Sequence, residues 1–432
     1  MALLTPVSQS RIILSLITAC VLLATGITSA VSADAPDEPS GLFLTWQYDP
    51  TSTMTIDWHT NPDDEGLHML CFKPVGADEW MEATAFRHFY PYSDRVINRT
   101  HLEGLEPDSE YSFRVGEFQR VYKFRTMPEK LTRPVRFAAG GDTDHIIGGN
   151  SWQMNKVVMQ YDLDFITWGG DLAYADGGDP GRDHLERWYG WFDVIKNTLI
   201  YDDGRVVPIV VGIGNHEMKR YVGGNQWYSF EGSISPFEPT YEWRSANAPY
   251  FFQLFAFPGH PGYGVLDFGD YMSLFILDTD HANKIEGIQT EWLEKELRER
   301  TRRKIPHIIP NYHVPAFPSH RSYEGRTQTA VRTFWVPLFE KYGVRVAYEN
   351  HDHTYKRTHP IRNGELAEDG IVYIGDGSWG RGPRIGSSKD EWYIKKFASV
   401  NSGMVVTLEG DTQRYVVLSK EGEVIDTYIN ER

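Results

Sequence analysis

Aspartate, asparagine, histidine and tyrosine recur in five short loops of this chain. They are Gly141-Asp142-Thr143-Asp144, Gly170-Asp171-Leu172-Ala173-Tyr174, Gly214-Asn215-His216-Glu217, Asn311-Tyr312-His313-Val314-Pro315 with Pro318-Ser319-His320 behind it, and Glu349-Asn350-His351-Asp352-His353. Carboxylates, amides and imidazoles are donors for hard and borderline cations, and a tyrosine phenolate suits ferric iron. Two cations held roughly 3.5–4 Å apart repel each other and call for a shared carboxylate. Asp171 is the candidate for that bridge. His351 and His353 stand two apart: they share a face of an extended segment, and in a tight loop they diverge to neighbouring metals.

Each loop follows an apolar, strand-like run: 135–139, 165–168, 206–213, 305–310 and 344–348. Continuous apolar runs of this length fit buried strands of a sheet covered on both faces. Further strands are expected at 272–277 and 371–374. Helical spacing is read over 151–161, 182–197 and 288–300, the last with Ile288, Trp292, Leu293 and Leu297 on its apolar face. Alternating strands and helices predict an α/β domain of layered sheets flanked by helices over residues 135–432. Its strand ends would gather the five loops along one edge, where open α/β sheets build their sites. The aromatic, Gly/Pro-rich stretch 221–263 reads as an insertion that roofs a pocket.

Residues 36–127 differ. Short segments such as Leu42-Phe43-Leu44-Thr45-Trp46 and Met54-Thr55-Ile56-Asp57-Trp58-His59 mix apolar and polar residues in near alternation. Leu105-Glu106-Pro107 precedes an alternating strand in which Tyr111 stands where a tyrosine corner would place it. An all-β sandwich resembling fibronectin type III, with about seven strands, is expected here as a structural module on the catalytic domain. Residues 128–134, with Pro at both ends, read as a linker.

The first 33 residues read as a secretory signal: Arg11 is the only charged side chain before Asp34, an apolar stretch covers 12–24, and Val31-Ser32-Ala33 suits cleavage. A lipid-anchored form through Cys20 is the minor alternative. The expectation is a secreted or periplasmic protein with no stable membrane span once cleaved. Cleavage leaves Cys71 as the one cysteine of two, so no internal disulfide can form. Cys71 itself lies in an apolar run and reads as packing. Asn98-Arg99-Thr100 is a glycosylation sequon.

A net charge of −16 argues against nucleic acid as a specific partner. It does not argue against a small phosphorylated substrate, because bound metals supply positive charge locally.

The five loops in this order resemble those of the calcineurin-like metallophosphoesterases, and more narrowly the purple acid phosphatases. Gly-Asp-x-x-Tyr, Gly-Asn-His-Glu, the terminal His-x-His-x-Tyr and a fibronectin-like domain ahead of them carry the resemblance. It implies that Asp142, Asp171, Tyr174 and His353 bind Fe(III), and that Asp171, Asn215, His313 and His351 bind a divalent ion (Zn, Mn, Fe or Mg). It implies that His216 contacts the substrate phosphate and that His320 binds phosphate or protonates the leaving group. The activity implied is acid phosphatase hydrolysis of phosphomonoesters through hydroxide generated at the dinuclear centre. A phosphodiesterase or nucleotide pyrophosphatase using the same site is the alternative, and a binding protein with a degenerate site a more distant one.

Four positions depart from the family pattern. Asp144 stands where the family has Gly or a ligand His, and reads as a loop cap ahead of a metal contact. Asn350 replaces Gly, and is expected to tolerate a left-handed turn. Lys356 replaces Glu, which alters charge behind the ligands. Pro310 interrupts the strand before His313. Glu217 reads as a residue behind the ligands; His145 and His281 lie close enough to the loops to reach the pocket.

Overall fold

The computed structural model describes residues 38–64, 68–175, 184–218, 240–375, 377–386 and 388–431. The expected leader and residues 221–239 of the aromatic insertion lie outside them.

Eight strands make the N-terminal sandwich: β1 (Ser40–Thr45), β2 (Met54–Thr60), β3 (Met69–Pro74), β4 (Met81–Thr84), β5 (Phe86–Phe89), β6 (Val96–Leu102), β7 (Glu110–Val115) and β8 (Tyr122–Arg125). They form two four-stranded sheets, β1-β2-β6-β5 and β4-β3-β7-β8. The Tyr111 hydroxyl accepts the Glu106 N–H at 2.9 Å, closing the expected tyrosine corner. Every residue of β2 is buried. One face, with Met54, Ile56 and Trp58, joins a core that runs from the sandwich into the following domain, and the other packs through His59 against Phe192. There Trp46 meets Phe165 and Phe268 edge-on, and Phe43 stacks on Phe192 at 5.4 Å. Arg99 ties the two halves together, donating to Asp57 at 2.7 Å and to the Leu254 carbonyl at 3.0 Å.

Two details of this sandwich carry physical weight. The Asn98 side chain is fully buried and donates to the Thr60 hydroxyl at 3.0 Å, so the folded protein has no room for a glycan on that sequon. His59, on β2, packs between Tyr90 and Phe192, and neither ring nitrogen has a hydrogen-bond partner among the described residues. Burial, helped by Arg95, pushes its pKa down to about 3. An unfolded histidine takes up a proton near pH 6.5, and folded His59 does not, so folding is penalised increasingly as pH falls below 6.5. At pH 5 the penalty is roughly 2 kcal/mol. His59→Phe is therefore expected to shrink the stability lost between pH 7.5 and pH 5 by about that amount in urea titrations. Equal losses in variant and wild type would refute it.

The second domain holds β9 (Val135–Gly140), β10 (Phe165–Trp168), β11 (Ile209–Val211), β12 (Gly264–Phe268), β13 (Met272–Leu277), β14 (His307–Tyr312), β15 (Val346–Glu349), β16 (Tyr355–Thr358), a short hairpin β17–β18 (Ile361–Arg362, Glu365–Leu366), β19 (Val372–Gly375), β20 (Ile394–Ala398), β21 (Ser402–Glu409), β22 (Thr412–Ser419) and β23 (Val424–Glu431). Two sheets result, β11-β10-β9-β21-β22-β23 and β12-β13-β14-β15-β19-β16-β20. Phe137, Phe165, Leu274, Ile276 and Tyr348 join them in one core. Helices α1 (Asn150–Val158) and α2 (His184–Thr198) pack on the first sheet through Met154, Val158, Trp188 and Trp191. The short α3 (Tyr241–Asn247) and α4 (Phe251–Leu254) follow. Then α5 (Ile288–Arg303), α6 (Arg326–Phe334) and α7 (Val336–Lys341) cover the second sheet through Leu293, Leu297, Val331, Trp335 and Phe339. No helix among the described residues is long and apolar enough to cross a membrane.

Several expectations shift. β11 is shorter than the apolar run 206–213, because Val206 turns back to bridge Ile200. Ile288 is exposed, leaving the buried face of α5 to Gln289, Leu293 and Leu297. The described end of the insertion packs Tyr250, Phe251 and Phe255 against the Trp188–Trp191 cluster, and residues 240–263 line no part of the cavity described below. Pro310 lies inside β14, paired with Phe275 on one side; on the other, contact with β15 reduces to the single partner pair Asn311–Tyr348. Proline offers no N–H to either neighbour.

Candidate metal centre

β9, β10 and β11 run parallel, as do β13, β14, β15 and β19. Their carboxyl ends open into the five loops. Asp142 comes two residues after β9, Asp171 three after β10, Asn215 four after β11, His313 directly after β14, and His351 two after β15. The turns are sharp. Asp142, Asp171, Tyr174, His351 and His353 all have φ between +53° and +81°, a region that side chains enter only when their surroundings enforce it. Asn350 is not one of them: the left-handed positions in this turn are His351 and His353. Its side chain instead donates to the Tyr312 carbonyl at 2.9 Å, latching the His351 loop to the His313 loop.

Two groups of donors result. In one, the Tyr174 hydroxyl lies 3.0 Å from Asp142 Oδ1 and 3.0 Å from His353 Nε2, and His353 Nε2 lies 2.9 Å from Asp142 Oδ1. In the other, His313 Nε2 lies 3.2 Å from Asp171 Oδ2, 3.2 Å from Asn215 Oδ1 and 2.9 Å from His351 Nδ1. Asp171 belongs to both candidate cation groups, with His313 and His351 in one and Asp142 and His353 in the other.

The donor chemistry fits cations. His313 Nδ1 is 3.0 Å from the Gly169 carbonyl, which fixes that nitrogen as an N–H donor and turns Nε2 inward. Nε2 faces the Asp171 carboxylate and the Asn215 carbonyl oxygen, which only accept, so this nitrogen must carry either a proton or a cation. Burial alone would depress His313, but Asp171 and Asp142 outweigh it and raise it to about 9. Asp171 is buried too, yet His313, His216 and His351 hold its carboxyl well below the ordinary range. The metal-free pocket thus keeps a proton where a cation would sit. Burial and the carboxylates of Asp142 and Asp171 keep the Tyr174 phenol protonated, and only a strongly Lewis-acidic ion would displace that proton.

Support lies directly behind. Glu217 accepts from the amides of Asp171, Leu172 and Gly214 at 2.7–2.8 Å, bracing two ligand loops at once. Burial and the Asp171 charge raise it to about 8. Asp144 accepts the Ile146 amide at 3.0 Å, while its own amide donates to Ser151 Oγ at 2.7 Å; it caps its loop and joins neither cation group. Gly377 and Gly214 come so close that a Cβ would lie 1.8 Å from Asp142 Oδ2 and 2.3 Å from Asp171 Oδ1, respectively.

The centre opens into a cavity of about 560 Å³ lined by Asp171, Tyr174, Asn215, His216, His351 and His353 among others. The His216 amide donates to Asp171 Oδ1 at 2.8 Å, and its ring lies 4.0 Å from that of Tyr174. His320 is not brought to the cavity: its amide donates to Asp352 at 2.8 Å and its Nδ1 meets the Ile385 carbonyl at 2.8 Å. Arg321, the next residue, lines the cavity in its place. His281 does reach it, buried next to His313, and burial pushes it down to about 3, so its own imidazole stays neutral. His145 does not line it. Sequence reasoning missed Arg381 and Arg384, which also line it. The signal was the segment Gly380-Arg381-Gly382-Pro383-Arg384-Ile385-Gly386, a Gly/Pro-rich loop carrying two arginines.

Residues 39–126 match the family described as purple acid phosphatase, N-terminal domain. Purple acid phosphatase 21 of Arabidopsis thaliana is 26% identical over 328 residues, covering 74% of this chain and 67% of that protein. The Fe(3+)-Zn(2+) purple acid phosphatase 12 of the same plant is 22% identical over 340 residues, covering 76% and 66%. The chain therefore spans about two thirds of the length of these relatives. Among solved structures, a purple acid phosphatase from yellow lupin (Lupinus luteus) seeds superposes with a TM-score of 0.73 at 18% identity, covering 91% of this chain and 74% of that one.

Proposed function

We propose, from the premise that this chain is a purple acid phosphatase-like member of the calcineurin-like metallophosphoesterases, that it hydrolyses phosphate monoesters at a dinuclear metal centre. The observation that carries the reading is the sharing of Asp171 between two complete donor groups. Asp142, Tyr174, His353 and Asp171 would hold one ion; Asn215, His313, His351 and Asp171 would hold the other. The phenol in the first group and the Fe(3+)-Zn(2+) relative support Fe(III) there and a divalent ion in the second. Bound together, such ions acidify water and offset charge on phosphoryl oxygens.

The chain's own residues do the rest. Asp171 offers one oxygen toward His313 and anchors the His216 amide with the other. That anchor sets the His216 ring over Tyr174, at the mouth of both donor groups, where it would hold a phosphoryl oxygen. Glu217 fixes the loops so that donors need no rearrangement when substrate binds. His320 supports the site from behind, through Asp352 and the Ile385 loop. The two four-stranded sheets and the tyrosine corner support keeping the fibronectin type III-like reading of the N-terminal domain. Export to a secreted or periplasmic location belongs to the same reading, supported by the apolar run at 12–24.

The test is a visible spectrum with metal analysis, beside hydrolysis of p-nitrophenyl phosphate. The holoenzyme is expected to show a broad charge-transfer band that Tyr174→Phe abolishes while about two metals per chain remain. A colourless, two-metal enzyme would overturn the ferric assignment; a protein that neither binds metal nor hydrolyses the ester would overturn the function.

A further inference from the structure

One buried side-chain amide touches four of the five loops that carry the donor groups. It belongs to Asn350, whose backbone leads straight into His351. The Asn350 N–H donates to the His313 carbonyl at 3.0 Å, and Nδ2 donates to the Tyr312 carbonyl at 2.9 Å. The peptides on both sides of His313 are thus held by one residue. Nδ2 also reaches Asn311 Oδ1 at 3.3 Å, and Asn311 Nδ2 donates to Thr167 Oγ1 at 2.8 Å on β10, the strand that leads to Asp171. Two glycines make room for the amide. A Cβ on Gly169 would lie 2.0 Å from Asn350 Nδ2, and one on Gly141 would lie 2.5 Å from Asn350 Oδ1. That Oδ1 is buried and has no hydrogen-bond partner among the described residues. A buried oxygen left unbonded is destabilising, so an apolar group would fill the same space better. What the amide adds over such a filler is its pair of N–H bonds.

Those bonds serve the two donor groups unequally. His313 and His351 both belong to the second group. The first group has separate ties: the Asp142 amide donates to the Gly170 carbonyl at 3.0 Å, and the Asp142 carbonyl accepts the Gly380 and Arg381 amides at 2.9 Å. None of these passes through the Asn350 side chain. We infer that Asn350 is a positioning residue for the second ion: through the chain Asn350, Asn311, Thr167 it fixes His313 against His351, and so sets how tightly the divalent ion is retained while the first ion stays in place. The inference rests on the hydrolase reading above, which puts an ion in each donor group. Because the family pattern has Gly at this position, the latch is a feature of this chain and not of the pattern. Partners behind metal ligands hold them in the orientation that a cation requires. Here the hold acts on the loop backbone, since the free nitrogen of the His313 ring is already taken by the Gly169 carbonyl.

The experiment loads the protein with iron and zinc, dialyses it against a weak chelator, and analyses both elements beside the visible spectrum. Wild type is expected to keep about two ions. Asn350→Ala and Asn350→Gly should raise the zinc dissociation constant about 10–100-fold and leave about one ion, the iron, with the charge-transfer band still present. Hydrolysis of p-nitrophenyl phosphate should fall with the zinc and recover when excess Zn(II) is supplied. A variant that keeps both ions through the same dialysis overturns the inference. So does one that loses iron and zinc together, because general loosening does not discriminate between the groups. If N350A does not fold, Asn311→Ala, which cuts the same chain one bond further out, must show the selective loss, or the inference falls. Wild type that holds no metal strikes the hydrolase reading and the inference with it; wild type that holds two ions beside an unchanged variant strikes the inference alone.

Discussion

Asp171→Asn should cost about 10²–10³-fold or more in kcat for p-nitrophenyl phosphate, and metal analysis should find about one ion per chain or fewer instead of about two. The substitution keeps shape: one side-chain oxygen can still accept the His216 amide, which now bonds Asp171 Oδ1 at 2.8 Å. What changes is the group facing His313 Nε2, where a carboxylate oxygen 3.2 Å away becomes an amide. Both donor groups lose their shared charge at once, so the loss is not that of a single ligand. The metal-free variant should be less stable than metal-free wild type at neutral pH, because the depressed Asp171 carboxyl and the raised His313 imidazole hold each other charged and the substitution removes that pairing. Melting the two metal-free proteins side by side checks this. A variant that keeps two ions would show that Asp171 is not the bridge; one that unfolds would show that its role is architectural.

Lys356→Met is expected to destabilise the fold by about 3–5 kcal/mol, among the largest effects of any single change outside the metal ligands. Lys356 and Glu349 form an ion pair in which neither side chain has any solvent exposure. The ammonium also donates to the Phe317 carbonyl. On its other oxygen, Glu349 accepts the Tyr312 hydroxyl at 2.7 Å and the Ala316 amide at 2.6 Å. Removing the cation strands a carboxylate in the core, immediately before the Asn350–His353 loop and against the segment that carries His313. Urea unfolding should report the loss, and the double variant Lys356→Met with Glu349→Gln should regain most of it, since glutamine still offers an oxygen and carries no charge. A single-variant loss below about 1 kcal/mol, the scale of an exposed pair, would mean that the pair does not behave as a buried one.

The site was more legible in the sequence than the frame that holds it. Asp142, Asp171, Tyr174, Asn215, His313, His351 and His353 are recognisable because motif order and donor type survive where overall identity is low. The strands that lead into them announce themselves as apolar runs, with boundaries moved by one or two residues for β14 and β15. The consequences of Lys356 were not legible: its pairing with Glu349, seven residues earlier, depends on how β15 and β16 fold back around β19. Nor were β21, β22 and β23, although β21 pairs with β9 in the middle of the first sheet. Their residues alternate only partly, and nothing local says that the last segment of the chain returns to lie beside the first strand of the domain. Arg381 and Arg384 escaped for a different reason. Arginines between glycines and proline look like any solvated loop until the loop is seen to bend over Tyr174.

The aromatic seam between sandwich and catalytic domain has a consequence for heredity. Trp46 and Phe43 on one side, and Phe165, Phe268 and Phe192 on the other, belong to cores that neither half can close alone. A recombination event that moved or deleted the N-terminal segment by itself would leave the remainder with a sticky aromatic scar, prone to self-association. Removing either segment is therefore expected to leave the other self-associating, and a paired change across the seam that conserves volume should be tolerated better than either single change.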